Sequence, residues 1–204
     1  MHIAIVGNIG AGKTTLTELL AKHLGYEPHY EVVDNNPYLE DFYSDMKRWS
    51  FNLQIYFLNN RFQQMMYIKN CKNSIIQDRT IYEDAYIFAE NLHEMGLMTS
   101  RDYENYRAIF DNIVSFIKPP DLLIYLKASV PTLVNHIQRR GREYEAGIRL
   151  DYLAKLNDKY KKWMDTYSDG KLLILNKDQL DFANNPEDLG FVIQRIESEI
   201  NGLF

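Results

Sequence analysis

Residues 7–14 read Gly-Asn-Ile-Gly-Ala-Gly-Lys-Thr and follow directly after the apolar run 2–6. The string fits the pattern G-x-x-x-x-G-K-[ST], in which glycines let backbone N–H groups curl around phosphate oxygens. The pattern predicts that Lys13 reaches the β- and γ-phosphates and that the Thr14 hydroxyl ligates Mg²⁺. A helical apolar stripe over 15–24 places a helix N-terminus, with its favourable dipole, at the same anion site. The residues expected to bind a nucleoside triphosphate here are Gly7, Asn8, Ile9, Gly10, Ala11, Gly12, Lys13, Thr14 and Thr15.

Five short apolar runs separated by helical patterns predict an α/β fold. Alternating strands and helices indicate a five-stranded parallel sheet with helices on both faces, which binds ligands at the carboxyl ends of its strands. The predicted strands are residues 2–6, about 30–33, about 74–77, 122–126 and 171–175. Beyond the first helix, the predicted helices lie near 38–46, from about 49 to 70, at about 83–95 and 101–117, after Ser129, and from Asn185 onward.

Length, charge and cysteine content narrow the class of protein. A chain of 204 residues predicts one domain, 1–204, and the net charge of −5 argues against a nucleic-acid polymer as a partner. The single Cys71 can form no internal disulfide, so we expect a reducing, cytoplasmic compartment. Because no apolar run approaches the length of a membrane span and no leader pattern precedes the first strand, we expect no membrane association.

Charged residues at two predicted strands indicate chemistry at the sheet edge. Glu31 falls in the second apolar run, where a buried strand has little use for a carboxylate, and it can serve a hydroxyl nucleophile as a general base. Asp78 and Arg79 follow the third strand, where the acid can hold Mg²⁺ or its water and the arginine can bind phosphate. The structural alternatives are an exposed edge glutamate and a surface ion pair.

The long helix between strands two and three carries a candidate base-reading face. Gln54 and Arg61 are seven residues apart, so they share one face, with Phe57 between them and Leu53 beside Gln54. A primary amide donates and accepts hydrogen bonds at once, which suits the edge of a nucleobase, and aromatic rings supply stacking. The alternative is a polar helix stripe that faces water.

Arginines end a later helix and indicate a lid over the transferring phosphate. Arg139-Arg140-Gly141-Arg142 places a glycine among three cations, and the lid is expected to span about 136–149. Such arginines neutralise charge in a loose phosphoryl-transfer transition state. The alternative is that they only complement the dipole at the helix C-terminus.

In combination, these motifs resemble the deoxyribonucleoside kinases over nearly the whole chain. The motifs that carry the resemblance are 7–15, Glu31, Trp49-Ser50-Phe51-Asn52-Leu53-Gln54, Asp78-Arg79-Thr80, and Arg140-Gly141-Arg142 with Glu145. The resemblance is to the compact bacterial branch of deoxyadenosine, deoxyguanosine and deoxycytidine kinases. It implies a P-loop kinase with an arginine-rich lid that uses ATP and Mg²⁺ to phosphorylate the 5′-hydroxyl of a 2′-deoxyribonucleoside, in nucleotide salvage.

The resemblance also assigns roles to individual residues. It implies that the catalytic residues are Lys13, Glu31, Arg79, Arg140 and Arg142, with Glu31 as the base. It implies that Thr14 and Asp78 lie at Mg²⁺ and that Asp181 and Phe182 flank the adenine of ATP. The implied substrate-binding residues are Glu31, Leu39, Tyr43, Leu53, Gln54, Phe57, Arg61, Arg79, Asp84, Phe88 and Glu145.

Specificity and assembly are implied less directly. Arg61 and Asp84 match a pair near the base edge in purine-accepting relatives, which favours deoxyadenosine and leaves deoxyguanosine and deoxycytidine open. His136 stands where the family has a lid arginine, which leaves open whether His136 or Arg139 takes its place or the phosphate contacts are fewer. The family also implies a homodimer. Two alternatives stay open: a nucleoside monophosphate kinase, which needs further arginines, and a nucleotide-binding module without transfer activity.

Overall fold

The computed structural model describes residues 1–31, 36–145 and 147–202. In this part of the chain, five strands form one parallel sheet in the order β2-β3-β1-β4-β5, which confirms the predicted fold class. The first strand lies in the middle, with Ile5 opposite Asp78 on one side and Ile124 on the other. The loop that follows β1 is therefore central at the carboxyl edge. The strands are β1 (His2–Val6), β2 (Glu27–His29), β3 (Ile75–Asp78), β4 (Leu122–Lys127) and β5 (Lys171–Asn176).

The helices connect the strands and cover both faces of the sheet. They are α1 (Lys13–Leu24), α2 (Leu39–Ser44), α3 (Met46–Asn70), α4 (Ile81–Glu83), α5 (Glu90–Glu94), α6 (Ser100–Val114), α7 (Val130–Arg140), α8 (Leu150–Thr166) and α9 (Pro186–Asn201). A π-helical segment, Asp84–Ala89, joins α4 to α5, and 3₁₀ turns form at Glu143–Glu145 and Lys177–Gln179. Within the described ranges, none of the helices combines the length and the apolar character needed to cross a membrane.

Two hydrophobic clusters hold the helices against the sheet. Because successive side chains of a strand point to opposite faces, Ala4 and Val6 join one cluster while Ile3 and Ile5 join the other. The first cluster contains residues of α3, α6 and α8, and the second contains residues of α1 and α9. The central strand is thus buried on both sides, which fixes the loop that leaves its end.

The second strand differs from the prediction. The strand was expected at about 30–33, but β2 is Glu27–His29, so Glu31 lies two residues beyond the strand rather than inside it. Residues 32 and 33 of the predicted strand lie outside the described ranges. The reason is that β2 is an edge strand paired only with β3. An edge strand tolerates Pro28 and needs no apolar run, so the apolar pattern misplaces it.

Helix boundaries shift where capping interactions start a helix early. The long helix α3 begins at Met46 because the Asp45 side chain accepts a hydrogen bond from Arg48 N. The helical run after β3 begins at Ile81 because Thr80 and Glu83 form a capping box. Asn185 caps α9, as predicted.

Candidate active site

A cavity of about 560 Å³ opens at the carboxyl edge of the sheet, and this volume is typical of small-molecule sites. Residues that follow four strands line it: Lys13 after β1, Glu31 after β2, Arg79 after β3 and Lys177 after β5. The lid arginines Arg139, Arg140 and Arg142 line it as well. The structure therefore brings the predicted phosphate loop, the predicted base and the predicted lid to one cavity.

The phosphate loop depends on glycines at close backbone approaches. Gly7, Gly10 and Gly12 have φ values of 153°, 83° and 90°, in the region that side chains disfavour. A Cβ at Gly7 would lie 2.8 Å from the Leu126 carbonyl oxygen, and a Cβ at Gly10 would lie 2.8 Å from that of Leu133. The loop can therefore wrap the N-terminus of α1 only with glycine at these positions.

Lys13 is buried and bonded to its own loop. Its Nζ donates hydrogen bonds to the carbonyl oxygens of Gly7 (2.9 Å) and Asn8 (3.1 Å). Burial lowers the pKa of Lys13 to about 8, and the nearby charge of Arg79 adds to that lowering. An ammonium group desolvated in this way gains strongly from an anionic partner, and phosphate oxygens entering the cavity would supply one.

Thr14 and Asp78 form a donor set that fits Mg²⁺. The Thr14 hydroxyl donates to Asp78 Oδ2 at 2.6 Å. The other carboxylate oxygen, Asp78 Oδ1, is buried and has no hydrogen-bond partner among the described residues. A hydroxyl next to a carboxylate oxygen with free lone pairs is the hard oxygen environment that Mg²⁺ prefers, either directly or through water.

Glu31, the predicted base, lies between two arginines and forms an ion pair with each. Arg61 Nη2 donates to Glu31 Oε1 at 3.0 Å, and Arg79 Nε forms an ion pair with the same oxygen at 2.8 Å. Burial alone would raise the pKa of Glu31, but the charges of Arg79, Arg61 and Lys13 outweigh it and lower the pKa to about 2. The carboxylate is therefore ionised at neutral pH and can accept a hydrogen bond from a substrate hydroxyl.

Arg79 has an unusual backbone conformation. Its φ of 71° is the only positive value for a non-glycine residue in the described ranges. Such strained conformations concentrate at functional sites, where surrounding contacts maintain them. Here Arg79 N donates to Ile5 O at 2.9 Å, and the guanidinium lies 4.5 Å from the centroid of the Phe88 ring.

Arg61 lies behind the cavity rather than in its wall. Its side chain is buried, and its Nε forms an ion pair with Asp84 Oδ2 at 3.3 Å without hydrogen-bond geometry. Asp84 does line the cavity. Burial raises the pKa of Asp84 to about 7, although the charges of Arg61 and Arg79 oppose that rise. The carboxyl that faces the cavity can thus both accept and donate hydrogen bonds near neutral pH.

The remaining predicted substrate residues form an apolar chamber with one polar amide. Gln54 is buried, and its Oε1 has no hydrogen-bond partner in the described part of the chain. Tyr43 stacks on Tyr144 of the lid, with ring centroids 5.7 Å apart. An unpartnered acceptor between apolar walls is a position that a planar polar ligand would satisfy. The other predicted residues that line this chamber are Leu39, Leu53, Phe57 and Phe88.

The lid arginines pair with a lid carboxylate. Arg140 donates to both carboxylate oxygens of Glu145, with Nη2 2.6 Å from each, and Arg142 Nη1 lies 3.6 Å from Glu145 Oε1. His136 Nδ1 lies 2.8 Å from Gly10 O and therefore carries the proton that it donates to the phosphate loop. Arg139 lines the cavity. His136 thus anchors the loop, while three arginines face the space beside it.

The cavity also contains the residues expected at the adenine of ATP. Asp181 and Phe182 both line it. The Phe182 ring packs near Gly12 and lies with its centroid 4.6 Å from Lys177 Nζ. Each of these side chains is within the same continuous cavity as the phosphate loop.

Two buried polar residues behind the loop, Glu83 and Tyr160, were not predicted, and neither was the half-buried Asn157. Asn8 Nδ2 donates to Asn157 Oδ1 at 2.7 Å, which joins the loop to α8. Gly7 N donates to Glu83 Oε1 at 3.1 Å, and the Tyr160 hydroxyl lies 2.9 Å from Gly7 O. The only local signal was the Thr80-x-x-Glu83 pattern of a capping box.

Comparison with known proteins gives one consistent family. The model of the family described as deoxynucleoside kinase matches residues 3–201. The deoxyadenosine/deoxycytidine kinase of Bacillus subtilis is 38% identical over 201 residues, which are 98% of this chain and 93% of the relative. The deoxyguanosine kinase of Lactobacillus acidophilus is 36% identical over an alignment of 207 positions, and the alignment covers 97% of this chain and 90% of the relative.

A solved structure shares the fold over the same extent. It is the deoxyadenosine kinase from M. mycoides with products dCMP and a flexible dCDP bound, and it has a TM-score of 0.86 at 33% identity. The match covers 97% of this chain and all of that chain. The same kinase has also been solved with bound dATP, at a TM-score of 0.85.

Proposed function

Since the chain belongs to the deoxynucleoside kinase family and is a phosphotransferase with a nucleoside triphosphate as donor, we propose that it transfers the γ-phosphate of ATP to the 5′-hydroxyl of a deoxynucleoside, preferably deoxyadenosine. The observation on which the choice of acceptor rests is Gln54, whose buried Oε1 has no hydrogen-bond partner among the described residues and lies in an apolar chamber. The exocyclic amine of adenine would satisfy that oxygen, while the amide N–H would donate to the neighbouring ring nitrogen.

Asp84 supports a purine in the same chamber. Its pKa of about 7 means that it can donate a hydrogen bond to a purine N7 when protonated or accept one from an exocyclic amine when ionised. Cytosine also presents an amine beside a ring nitrogen, so Gln54 alone accommodates both bases. Asp84 with Arg61 behind it is the basis for preferring deoxyadenosine.

Phosphoryl transfer needs mainly positioning and charge neutralisation. In this proposal Lys13 and the lid arginines Arg140 and Arg142 neutralise the triphosphate, and Glu31 accepts the hydroxyl proton. Thr14 and Asp78 would hold Mg²⁺, which would neutralise charge on the phosphate oxygens. The lid arginines would exchange their present partner, Glu145, for phosphate oxygens.

The experiment is a panel of acceptors with ATP as donor, with ADP release as the readout. It compares the four deoxynucleosides, adenosine, cytidine and dAMP. We expect deoxyadenosine to give the highest kcat/KM and dAMP to give no turnover. Faster turnover of dAMP than of any nucleoside would favour a monophosphate kinase, and tight ATP binding without turnover would favour a binding module. A homodimer is also proposed, and its test is light scattering of the purified chain.

A further inference from the structure

Glu83 is a completely buried carboxylate that the proposed chemistry does not use. Its Oε1 accepts hydrogen bonds from Gly7 N at 3.1 Å and lies 2.6 Å from the Tyr160 hydroxyl. Its Oε2 accepts from Thr80 N at 2.8 Å. The capping box accounts for the Oε2 contact only. The Oε1 contacts reach the first glycine of the phosphate loop and α8, the helix that follows the lid in the chain.

Tyr160 completes the enclosure of Gly7. Its hydroxyl lies 2.9 Å from the Gly7 carbonyl oxygen and 2.6 Å from Glu83 Oε1, and its single proton can be donated to either oxygen. Glu83 and Tyr160 thus contact the two peptide groups at Gly7. Burial raises the pKa of Tyr160 well above its usual range, which keeps the hydroxyl protonated. The ring stacks on Tyr125 of β4, with centroids 5.6 Å apart, and this stacking fixes the hydroxyl in place.

The same two side chains contact Arg79. Arg79 Nη1 donates to the Tyr160 hydroxyl oxygen at 3.3 Å and lies 3.6 Å from Glu83 Oε1. The Nε of that guanidinium is paired with Glu31. A continuous polar path therefore runs from the phosphate loop through Glu83 and Tyr160 to the residues that face the acceptor. Neither Glu83 nor Tyr160 is among the described residues that line the cavity.

We propose that Glu83 and Tyr160 are positioning residues for phosphoryl transfer. They fix the guanidinium of Arg79 relative to Gly7, and so set the distance between the acceptor hydroxyl beside Glu31 and the donor phosphate in the loop. This inference rests on the proposed roles of Arg79 and Glu31. It explains why one oxygen of a fully buried carboxylate accepts a hydrogen bond from the loop backbone. It also accounts for the left-handed conformation of Arg79, which these contacts help to maintain.

The test uses Tyr160→Phe as the principal variant, because it removes only the hydroxyl and leaves the ring stacked on Tyr125. Glu83→Gln is the second variant. Its amide, whichever way it is turned, leaves Gly7 N or Thr80 N without an acceptor. Tyr167→Phe is the matched control, since Tyr167 follows α8 and its buried hydroxyl has no hydrogen-bond partner in the described part of the chain.

Steady-state rates are measured with ATP and whichever deoxynucleoside the wild-type chain phosphorylates fastest, well below each variant's unfolding midpoint. Because misplacement of reacting groups by about 1 Å can cost ~10²-fold, we expect kcat to fall roughly tenfold to a hundredfold in both variants. The KM of each substrate should change by less than about threefold, since neither residue is among the described residues that line the cavity. The control should match the wild type.

Three results would overturn the inference. One is a kcat of Tyr160→Phe within about twofold of the control. Another is a rise in KM while kcat stays unchanged. Should Glu83→Gln fail to fold, Tyr160→Phe decides alone. When both variants fold, the double variant should lose less than the product of the single losses, because they act through shared contacts, and a full product would also overturn the inference. A base preference other than deoxyadenosine would refute only the proposed substrate, since the assay does not depend on it.

Discussion

Replacing Glu31 by glutamine tests the central chemical assignment with little change of shape. Both arginine contacts of Glu31 use the same oxygen, Oε1, at 3.0 Å from Arg61 and 2.8 Å from Arg79. The carbonyl oxygen of a glutamine can occupy that position and keep both contacts. The substitution therefore removes the charge and the basicity of the side chain while it retains an acceptor for each arginine.

The size of the effect follows from the pKa of Glu31. A positioned general base contributes ~10²–10⁴-fold to a rate, and most when its pKa is near the working pH. At a pKa of about 2, Glu31 is a weak base. In a loose transition state the nucleophilic hydroxyl needs little early deprotonation. The main contribution expected of Glu31 is therefore to orient that hydroxyl. We therefore expect kcat to fall by about 10²-fold, at the lower end of the range.

The assay is ADP release at saturating ATP and deoxyadenosine, with Glu27→Gln as the matched control. Glu27 lies in β2, four residues before Glu31, and bonds to Tyr67 away from the cavity. The lowered pKa also means that Glu31 stays ionised down to about pH 4, so the wild-type kcat should show no acid limb from this residue above that pH. A Glu31→Gln enzyme with the kcat of the control would refute the assignment.

Three further predictions follow from the same cavity. Gln54→Ala should lower kcat/KM for deoxyadenosine by a factor equivalent to about 1–3 kcal/mol, because it leaves polar edges of the base without a hydrogen-bond partner. Gln63→Ala, on the exposed side of α3, should leave kcat/KM unchanged. Equal kcat/KM values for the two variants would contradict the base-reading role. Asp78→Asn should raise the Mg²⁺ concentration for half-maximal activity by roughly 10–100-fold, and an unchanged Mg²⁺ titration would exclude Asp78 from the metal site. Asp84 has a folded-state pKa of about 7, above its unfolded value of 3.8, so its contribution to stability is complete below about pH 4 and is lost as the pH rises through 7. Asp84→Asn should therefore gain up to about 4 kcal/mol of unfolding free energy relative to wild type between pH 4 and pH 8 in urea titrations, and a constant difference would refute the raised pKa.

The phosphate loop could be predicted from sequence because its requirements are local. Each glycine is required by a positive φ, and two of them also by a carbonyl within 2.8 Å of a would-be Cβ. The helix then begins at Lys13, inside the motif. The edge strand β2 could not be located in the same way. With a neighbour on one side only, Glu27–His29 needs no apolar run, and the apolar residues that follow misled the prediction.

The polar groups behind the loop could not be predicted because their contacts with Gly7 are tertiary, and only the Thr80–Glu83 capping box is local. Glu83 is 76 residues from Gly7 and 77 from Tyr160. The parallel pairing of β3 with β1 brings Glu83 to Gly7, and the packing of α8 brings Tyr160 to both. The placement of Arg61 was also beyond the helical pattern. The helical spacing placed Arg61 on the same face as Gln54. In the structure Arg61 is buried behind the cavity wall, where it forms ion pairs with Glu31 and Asp84.

Ion pairs between arginines and carboxylates in the cavity explain how a chain with negative net charge can bind a polyanionic phosphate donor. The net charge of −5 would repel a triphosphate at long range, yet Arg79 is held by Glu31 and Arg140 by Glu145. Each arginine is thereby ordered before a ligand arrives, so little side-chain freedom remains to be lost on binding. Lys13 differs, because its hydrogen-bond partners are carbonyl oxygens and its pKa is already lowered to about 8. Of these three cations it therefore gains most from a phosphate partner.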